Sequence, residues 1–421
     1  MDKLIIKKTE PLYPNISINV PSSKSLSNRA LILNVISGNK ISIQNLSKSG
    51  DTRLLHDILK DYLQNDGSSY YYNCKDAGTV FRFLTAFFSF QNGEFVLSGH
   101  ERMKQRPHSA LFHTLKDAGV NLRFLELEGK PPVKITGKKP QKPLSLKIDG
   151  SKSSQFITAL LLTGPEYGLT LQINRKKVSG TYISMTLALF DQMDIQYQFI
   201  TPNTIFIPQQ QIARQQLFIE SDWSSAAPWY VLTAFQEKEF ALTINGLNQN
   251  SIQGDKRLAE IFASLGVKTI FQNDGITIIN QGLAPINEVL QLDLTDTPDL
   301  FPYILTTCAG LNMSCTIKGI AHLKYKESDR IAAITSELSK MNNTLKTINS
   351  NTVQLQKNKS RSSIGSVVID PHHDHRIAMA FAPMALIKEN IEIMNPYTVN
   401  KSYPAFWNEL KKTGLHLISK P

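Results

Sequence analysis

Six times along the chain a short β-rich run gives way to a polar, charged turn and then to an apolar helical stretch. The runs are Ser17–Val20 into PSSKSLSNRALIL, Tyr70–Tyr72 into KDAGTVFRFLTAFF, Leu146–Ile148 into DGSKSSQFITALLL, Leu217–Ile219 into SDWSSAAPWYVL, Leu292–Leu294 into TDTPDLFPYILTTC and Val367–Ile369 into DPHHDHRIAMAFA. With Lys24, Asp76, Lys152, Asp222, Asp299 and His375 as markers, the spacings are 52, 76, 70, 77 and 76 residues. That period is too long for a solenoid and predicts six copies of one α/β unit. A chain of 421 residues, 41% apolar, has room for two or more domains with real cores.

Each turn offers Ser, Asp, Thr or Lys where a helix should begin, and four of the helices meet a glycine afterwards, at Gly38, Gly93, Gly164 and Gly310. A helix start presents unpaired N–H groups and a partial positive charge, so it seats phosphate or carboxylate. Six such starts aimed at one cleft would trap anions strongly.

The net charge of +11 permits nucleic acid, an acidic membrane surface or a small polyanion as partner. Lysine runs such as Lys7-Lys8, Lys138-Lys139 and Lys411-Lys412 read as solvated surface, and no nucleic-acid module is recognisable, so no nucleic-acid partner is expected. The longest apolar run, Ile377 to Ile387, has 11 residues and contains Pro383, well short of a membrane span, so no membrane partner is expected either. MDKLIIKKTE has neither a secretory h-region nor a transit-peptide composition, and three cysteines without CxxC spacing support no disulfide framework or zinc site. The expectation is a cytoplasmic protein.

The turns carry the chemistry. Pro21 to Arg29 ends in a Lys24-Ser25 that suggests a P-loop, but the flanking glycines are missing; its plain reading is a serine-rich cap, with Lys24 and Arg29 in reach of an anion. Gly78 in Asp76-Ala77-Gly78-Thr79 allows close backbone approach to a ligand. Ser153-Ser154-Gln155 adds two hydroxyls and an amide, although capping alone would explain them. In Lys326-Glu327-Ser328-Asp329-Arg330 the two cations, four apart, would share a helix face, and Glu327 is either a salt-bridge partner or a proton donor. His372-His373-Asp374-His375-Arg376 resembles a metal cluster, yet neighbouring side chains diverge and Arg376 would repel a cation. Asp374 is better read as an N-cap, with His375 and Arg376 in the first turn.

Taken in order, PSSKSLSNRA, DAGTVFRFL, RMKQRP, DGSKSSQF, VSGTY, the Asp299 turn, KESDR, DHRIAMA and Lys401 resemble the 5-enolpyruvylshikimate-3-phosphate synthase family over nearly the whole chain. The resemblance implies a two-domain α/β enolpyruvyl transferase fold, each domain made of three βαβαββ units with helix N-termini facing the interdomain cleft. Residues 1–19 with 220–421 would form one domain and 20–219 the other, with the active site in the cleft. The implied reaction transfers the enolpyruvyl group of phosphoenolpyruvate to the 5-hydroxyl of shikimate 3-phosphate through a tetrahedral intermediate, without metal or organic cofactor. The resemblance implies that Lys24, Ser25, Arg29, Ser153, Ser154, Gln155, Ser179, Asp299, His322 and Lys326 meet shikimate 3-phosphate. It likewise implies that Lys24, Gly78, Arg106, Gln155, Arg330, Arg376 and Lys401 meet phosphoenolpyruvate.

Asp299 is the expected base, with Glu327 and Lys24 as expected proton donors. Such an enzyme is expected to act on its two small substrates as a monomer, and retention of Gly78 implies a glyphosate-accessible site. Two positions depart from the family pattern. Asp76 replaces a frequent Asn and is expected to cap its helix, turned away from the donor, while His322 replaces an Asn that can contact shikimate 3-phosphate. The nearest rival is the sister enzyme acting on UDP-N-acetylglucosamine, whose cleft loop usually supplies a cysteine; Glu101–Pro107 has none. A non-catalytic anion-binding protein on the same fold is the other alternative.

Overall fold

Each of the six sequence runs forms a strand because it alternates core-facing and outward residues, as in Leu144–Asp149, where alternate side chains are buried. In the computed structural model, residues 2–8, 16–65, 69–175, 179–283, 289–357 and 365–420 are described. Val178, the first residue of VSGTY, lies outside them. The chain divides into two units, Met1–Ser22 with Glu220–Pro421, and Ser23–Ile219.

In the unit Ser23–Ile219, two four-stranded sheets share one topology. Ser69–Asn73 pairs in parallel with Gly93–Ser98, which pairs antiparallel with Val133–Gly137, which pairs antiparallel with Asn121–Phe124. The strands Leu144–Asp149, Leu169–Asn174, Thr204–Ile207 and Gln198–Thr201 repeat that order. The third sheet has only the parallel pair Ser42–Gln44 and Gln216–Phe218, so among the described residues this copy lacks the closing hairpin. Helix Gly78–Ser89 (GTVFRFLTAFFS) is buried at every position but Thr79 and packs against helices Lys24–Ile36 and Ser154–Leu161. An all-round apolar helix can only be stable in such a central position.

The other unit has three four-stranded sheets of the same order. They begin with Ile16–Asn19, Leu290–Asp293 and Val367–Ile369, each parallel to its neighbour and followed by two antiparallel strands. In the last of them the antiparallel position is filled by Lys3–Lys7, between Ile391–Met394 and His416–Lys420. Helices Ala227–Ala234, Phe301–Gly310 and His375–Phe381 pack on one another at the centre. Leu305 there is fully buried, and truncating such a residue to alanine costs about 2–5 kcal/mol.

Two junctions depart from simple repetition. The strand Ile16–Asn19 leads into helix Lys24–Ile36 of the other unit, and Gln216–Phe218 leads back into the turn Trp223–Ala226 and helix Ala227–Ala234. The chain changes unit at those two strand-to-helix turns.

Candidate active site

In the unit Ser23–Ile219 the candidate residues gather at helix starts. Ser23 caps helix Lys24–Ile36 by accepting from the Leu26 amide, and Lys24 in its first turn lies 3.3 Å from Asp51 Oδ2. Arg29, one turn further, is 3% exposed. Its Nε donates to Thr186 Oγ1 at 2.9 Å, and its terminal nitrogens donate to the carbonyls of Ser25 and Tyr182 at 2.6 and 3.0 Å and to Thr158 Oγ1 at 3.4 Å. Burial pulls its pKa down to about 10. Arg29 thus ties three helices together from beneath the helix start.

Gly78 opens helix Gly78–Ser89, and the Arg106 guanidinium lies directly over it. A Cβ on residue 78 would fall 2.5 Å from one terminal nitrogen of Arg106 and 2.6 Å from its Cζ. Arg106 is 5% exposed and donates to the Asp76 carbonyl at 3.4 Å. Ser153 caps helix Ser154–Leu161 by accepting from the Gln155 amide, which sets Ser154 and Gln155 in its first turn. Ser179, in a left-handed conformation with φ 53°, leads into helix Gly180–Gln192.

One residue without an assigned role joins these pieces. Arg82 donates to Gln155 Oε1 and to the Pro107 carbonyl at 3.3 Å, with its guanidinium 5.2 Å from the Phe156 ring centre. It therefore fixes both the Gln155 amide and the backbone that carries Arg106. Its sequence signal was its place one turn after Gly78, on the helix face bearing Gly78 and Thr85.

Asp76 does not cap its helix. Ala77 holds the N-cap position with no side-chain hydrogen bond, and Asp76 Oδ2 meets His100 Nδ1 at 3.0 Å. The cap fails because Asp76 lies one residue too early, before the N-cap rather than at it.

In the other unit the candidates converge on Asp299. Arg330 is fully buried and each of its three nitrogens meets a carboxylate: Nε with Asp374 at 2.8 Å, and the terminal nitrogens with Asp299 and Glu327 at 2.9 Å each. Arg376 donates to the second oxygen of Asp299 at 2.6 Å, and Lys326 Nζ lies 4.0 Å from the first. Burial opposes ionisation of Asp299, but Arg376, then Lys326 and Arg330, override it and hold the carboxyl well below the usual range. Arg330 itself is held above its ordinary value, burial being outweighed by Asp374, Asp299 and Glu327.

Local structure explains the convergence. Asp374 caps helix His375–Phe381 by accepting from the Arg376 amide, as the sequence indicates, and its other oxygen takes Arg330 and Ser328. The shared helix face expected for Lys326 and Arg330 is not there. Helix Arg330–Ser339 starts only at Arg330, capped by Asp329, and Lys326 ends the preceding 3₁₀ turn. Asp329 draws the helix start to itself by accepting from the Ala332 amide.

His322 is half-buried in that turn, and burial, then the Lys326 charge, push its pKa down to about 3, so it stays neutral. Lys401 closes the 3₁₀ turn Pro396–Lys401, which packs on helix His375–Phe381. Asp255 was not anticipated: it is 4% exposed, shares a hydrogen bond with Ser224, and is pushed up to about 7 by burial first and Asp299 second. Its Gln253-Gly254-Asp255 turn lies outside the repeating motif positions, so nothing in the spacing singled it out.

Sheets of this repeated order make up the fold that the chain shares with solved enolpyruvyl transferases. A family model described as EPSP synthase (3-phosphoshikimate 1-carboxyvinyltransferase) matches residues 9–410. A 3-phosphoshikimate 1-carboxyvinyltransferase of Bacteroides fragilis is 36% identical over 406 residues, 96% of each chain. One from Haemophilus influenzae is 32% identical over 426 residues, covering 95% of this chain and 96% of the relative. Among solved structures, EPSP synthase from Acinetobacter baumannii superposes with a TM-score of 0.75 at 20% identity, covering 100% of both chains. The enolpyruvyl transferase NikO from Streptomyces tendae gives 0.71 at 14% identity, covering 100% of this chain and 99% of its own, and both structures speak to the fold alone. The chain belongs to the EPSP synthase family.

Proposed function

We propose that the two clusters of side chains act on one pair of substrates, the cluster around Lys24, Arg106 and Gln155 holding anionic groups and the cluster around Asp299 moving protons. The reaction is transfer of the enolpyruvyl group of phosphoenolpyruvate to the 5-hydroxyl of shikimate 3-phosphate, with release of phosphate, in the shikimate pathway leading to aromatic amino acids. Two polyanions must be brought together against their repulsion, and arginine suits that task because its planar fork grips carboxylate and phosphate with paired hydrogen bonds.

In this reading shikimate 3-phosphate is held by Lys24, Ser25, Ser153, Ser154, Gln155, Ser179, His322 and Lys326, while Arg29 sets the helix that carries Lys24 and Ser25. Phosphoenolpyruvate is held by Lys24, Arg106 over Gly78, Gln155, Arg330, Arg376 and Lys401. The 5-oxygen bonds to the enol carbon and gives its proton to Asp299. The methylene carbon takes a proton from Glu327, then returns one as the carbon–phosphate-oxygen bond breaks, with Lys24 beside the leaving phosphate.

The observation that carries this is the grip of Arg376, Arg330 and Lys326 on Asp299. A carboxylate so restrained is a weak base. When donor anions draw Arg376 and Arg330 toward themselves, Asp299 loses that stabilisation and becomes basic at the moment both substrates are present. The reading is of a monomer in the cytoplasm working on dissolved small molecules; no described helix is long and apolar enough to cross a membrane.

Phosphate release from the purified protein tests it, with shikimate 3-phosphate and UDP-N-acetylglucosamine as parallel acceptors. Release only with shikimate 3-phosphate is expected, falling about 10²- to 10⁴-fold in kcat for Asp299→Ala with smaller changes in KM. An Asp299→Ala protein with kcat intact would remove Asp299 from the chemistry, and light scattering checks the monomer.

A further inference from the structure

Helix Arg330–Ser339 grips the turn that delivers Arg376 at two points. At its first residue Arg330 holds Asp374; seven residues on, and so on the same face two turns later, Glu337 holds the start of that turn. Glu337 is fully buried. Its Oε1 meets His372 Nε2 at 2.9 Å, while its Oε2 accepts from the Asp370 amide at 3.1 Å and from Lys340 Nζ at 2.6 Å. Asp370 in turn accepts from the His372 amide at 2.8 Å.

The turn needs this support. His372 and His373 are consecutive left-handed residues, with φ of 51° and 59°. Side-chain-bearing residues take up that conformation infrequently, and two in succession gain from contacts that hold them there. Three residues after His373 comes Arg376, whose guanidinium reaches Asp299. A slackened turn would move the guanidinium while leaving the sheet and helix core in place.

We propose that Glu337 is a positioning residue for the phosphoenolpyruvate end of the reaction, acting through the His372–His373 turn on Arg376. The proposal rests on the reading that Arg376 takes an anionic group of the donor. Glu337 touches no substrate; it keeps Arg376 aimed.

The pair has a pH signature. The hydrogen bond that His372 donates to Glu337 raises its pKa, partial burial and the Lys340 charge working against it and Asp370 with it. A histidine raised in this way has its charged contact fully formed at low pH. The hold weakens as pH climbs through the raised value, and donor KM should climb with it.

The test is steady-state phosphate release by the full-length chain, with the KM of each substrate taken separately. Glu337→Gln should raise the KM for phosphoenolpyruvate about tenfold while kcat and the KM for shikimate 3-phosphate stay within about twofold, the size of effect expected when a binding group is displaced by a fraction of an ångström. His372→Ala should raise the donor KM about threefold and His372→Gln, whose amide can still donate to Glu337, should restore it and flatten the pH dependence. An unchanged donor KM in Glu337→Gln, or equal rises for both substrates, would overturn the proposal. If Glu337→Gln does not fold, the His372→Ala and His372→Gln pair decides it alone. Arg376→Lys is the control: a donor KM unaffected by that change would remove the reading of Arg376 itself, whatever Glu337 does.

Discussion

Arg29, in the second turn of its helix, and Arg330, the first residue of its helix, are both buried arginines, one in each unit, and they carry opposite electrostatics. Arg29 spends its donors on two threonine hydroxyls and two carbonyls, and burial pulls its pKa down to about 10. Arg330 spends its donors on three carboxylates and is held above its ordinary value. Dipoles orient a guanidinium without cancelling its charge, whereas carboxylates cancel it and are themselves fixed as anions. The first arrangement suits a receptor for anions. The second suits a store of poised carboxylates around a base.

The largest effect that can break this contrast is on stability. Replacing Arg330 with Met removes the buried cation that Asp374, Asp299 and Glu327 share, and should cost about 3–5 kcal/mol in chemical denaturation. Arg29→Met takes a donor only from neutral groups and should cost about 1–3 kcal/mol. Equal losses would mean that the partners' charge does not matter.

A smaller effect sharpens it. Asp255 lies in the carboxylate-rich unit and its pKa is pushed up to about 7, so the native state binds a proton there that the unfolded chain, with an ordinary carboxyl, has lost above about pH 4. The native protein binds more protons than the unfolded one across that window. Stability should therefore fall as pH rises from about 4 to 7, and Asp255→Asn should be relatively more stable at pH 8 than at pH 5, by about 2 kcal/mol. Melting curves of both proteins at the two pH values measure this; a difference independent of pH would assign the proton elsewhere.

The smallest test lies in the receptor half. Gly78→Ala puts a methyl where the Arg106 guanidinium now lies, and the flexible arginine must swing away because the helix backbone cannot. The donor KM should rise about tenfold with kcat largely kept, because the displaced group binds rather than reacts. A fall in kcat at constant KM would place chemistry, not binding, at Gly78.

Much of this was legible in the chain because it is local. The six strand-to-helix turns announce themselves by a β-rich run followed by polar residues, and four of them carry a side-chain cap, at Ser23, Ser153, Asp222 and Asp374. What could not be read is pairing across sequence. Arg29 with Thr158 and Thr186, Arg82 with Gln155, and Glu337 with His372 depend on how helices pack, which no periodicity encodes. Local signals also compete: KESDR looks helical from Lys326 on, but Asp329 caps more strongly than Lys326 propagates. The missing hairpin beside Ser42–Gln44 was hidden for a different reason, since the shorter spacing of 52 between the first two markers shows a deficit without saying which strands are lost.

The threading of the chain also sets an order of events at birth. The unit Ser23–Ile219 is continuous and has all its strands once residue 219 has emerged. Lys3–Lys7 and Ile16–Asn19, made first, must wait for partners at Ile391–Met394, His416–Lys420 and Ala241–Asn245. At about 5–20 residues per second that wait lasts tens of seconds. During it two apolar strands have no edge to join, while the later-made middle of the chain is already folded between them and their destination.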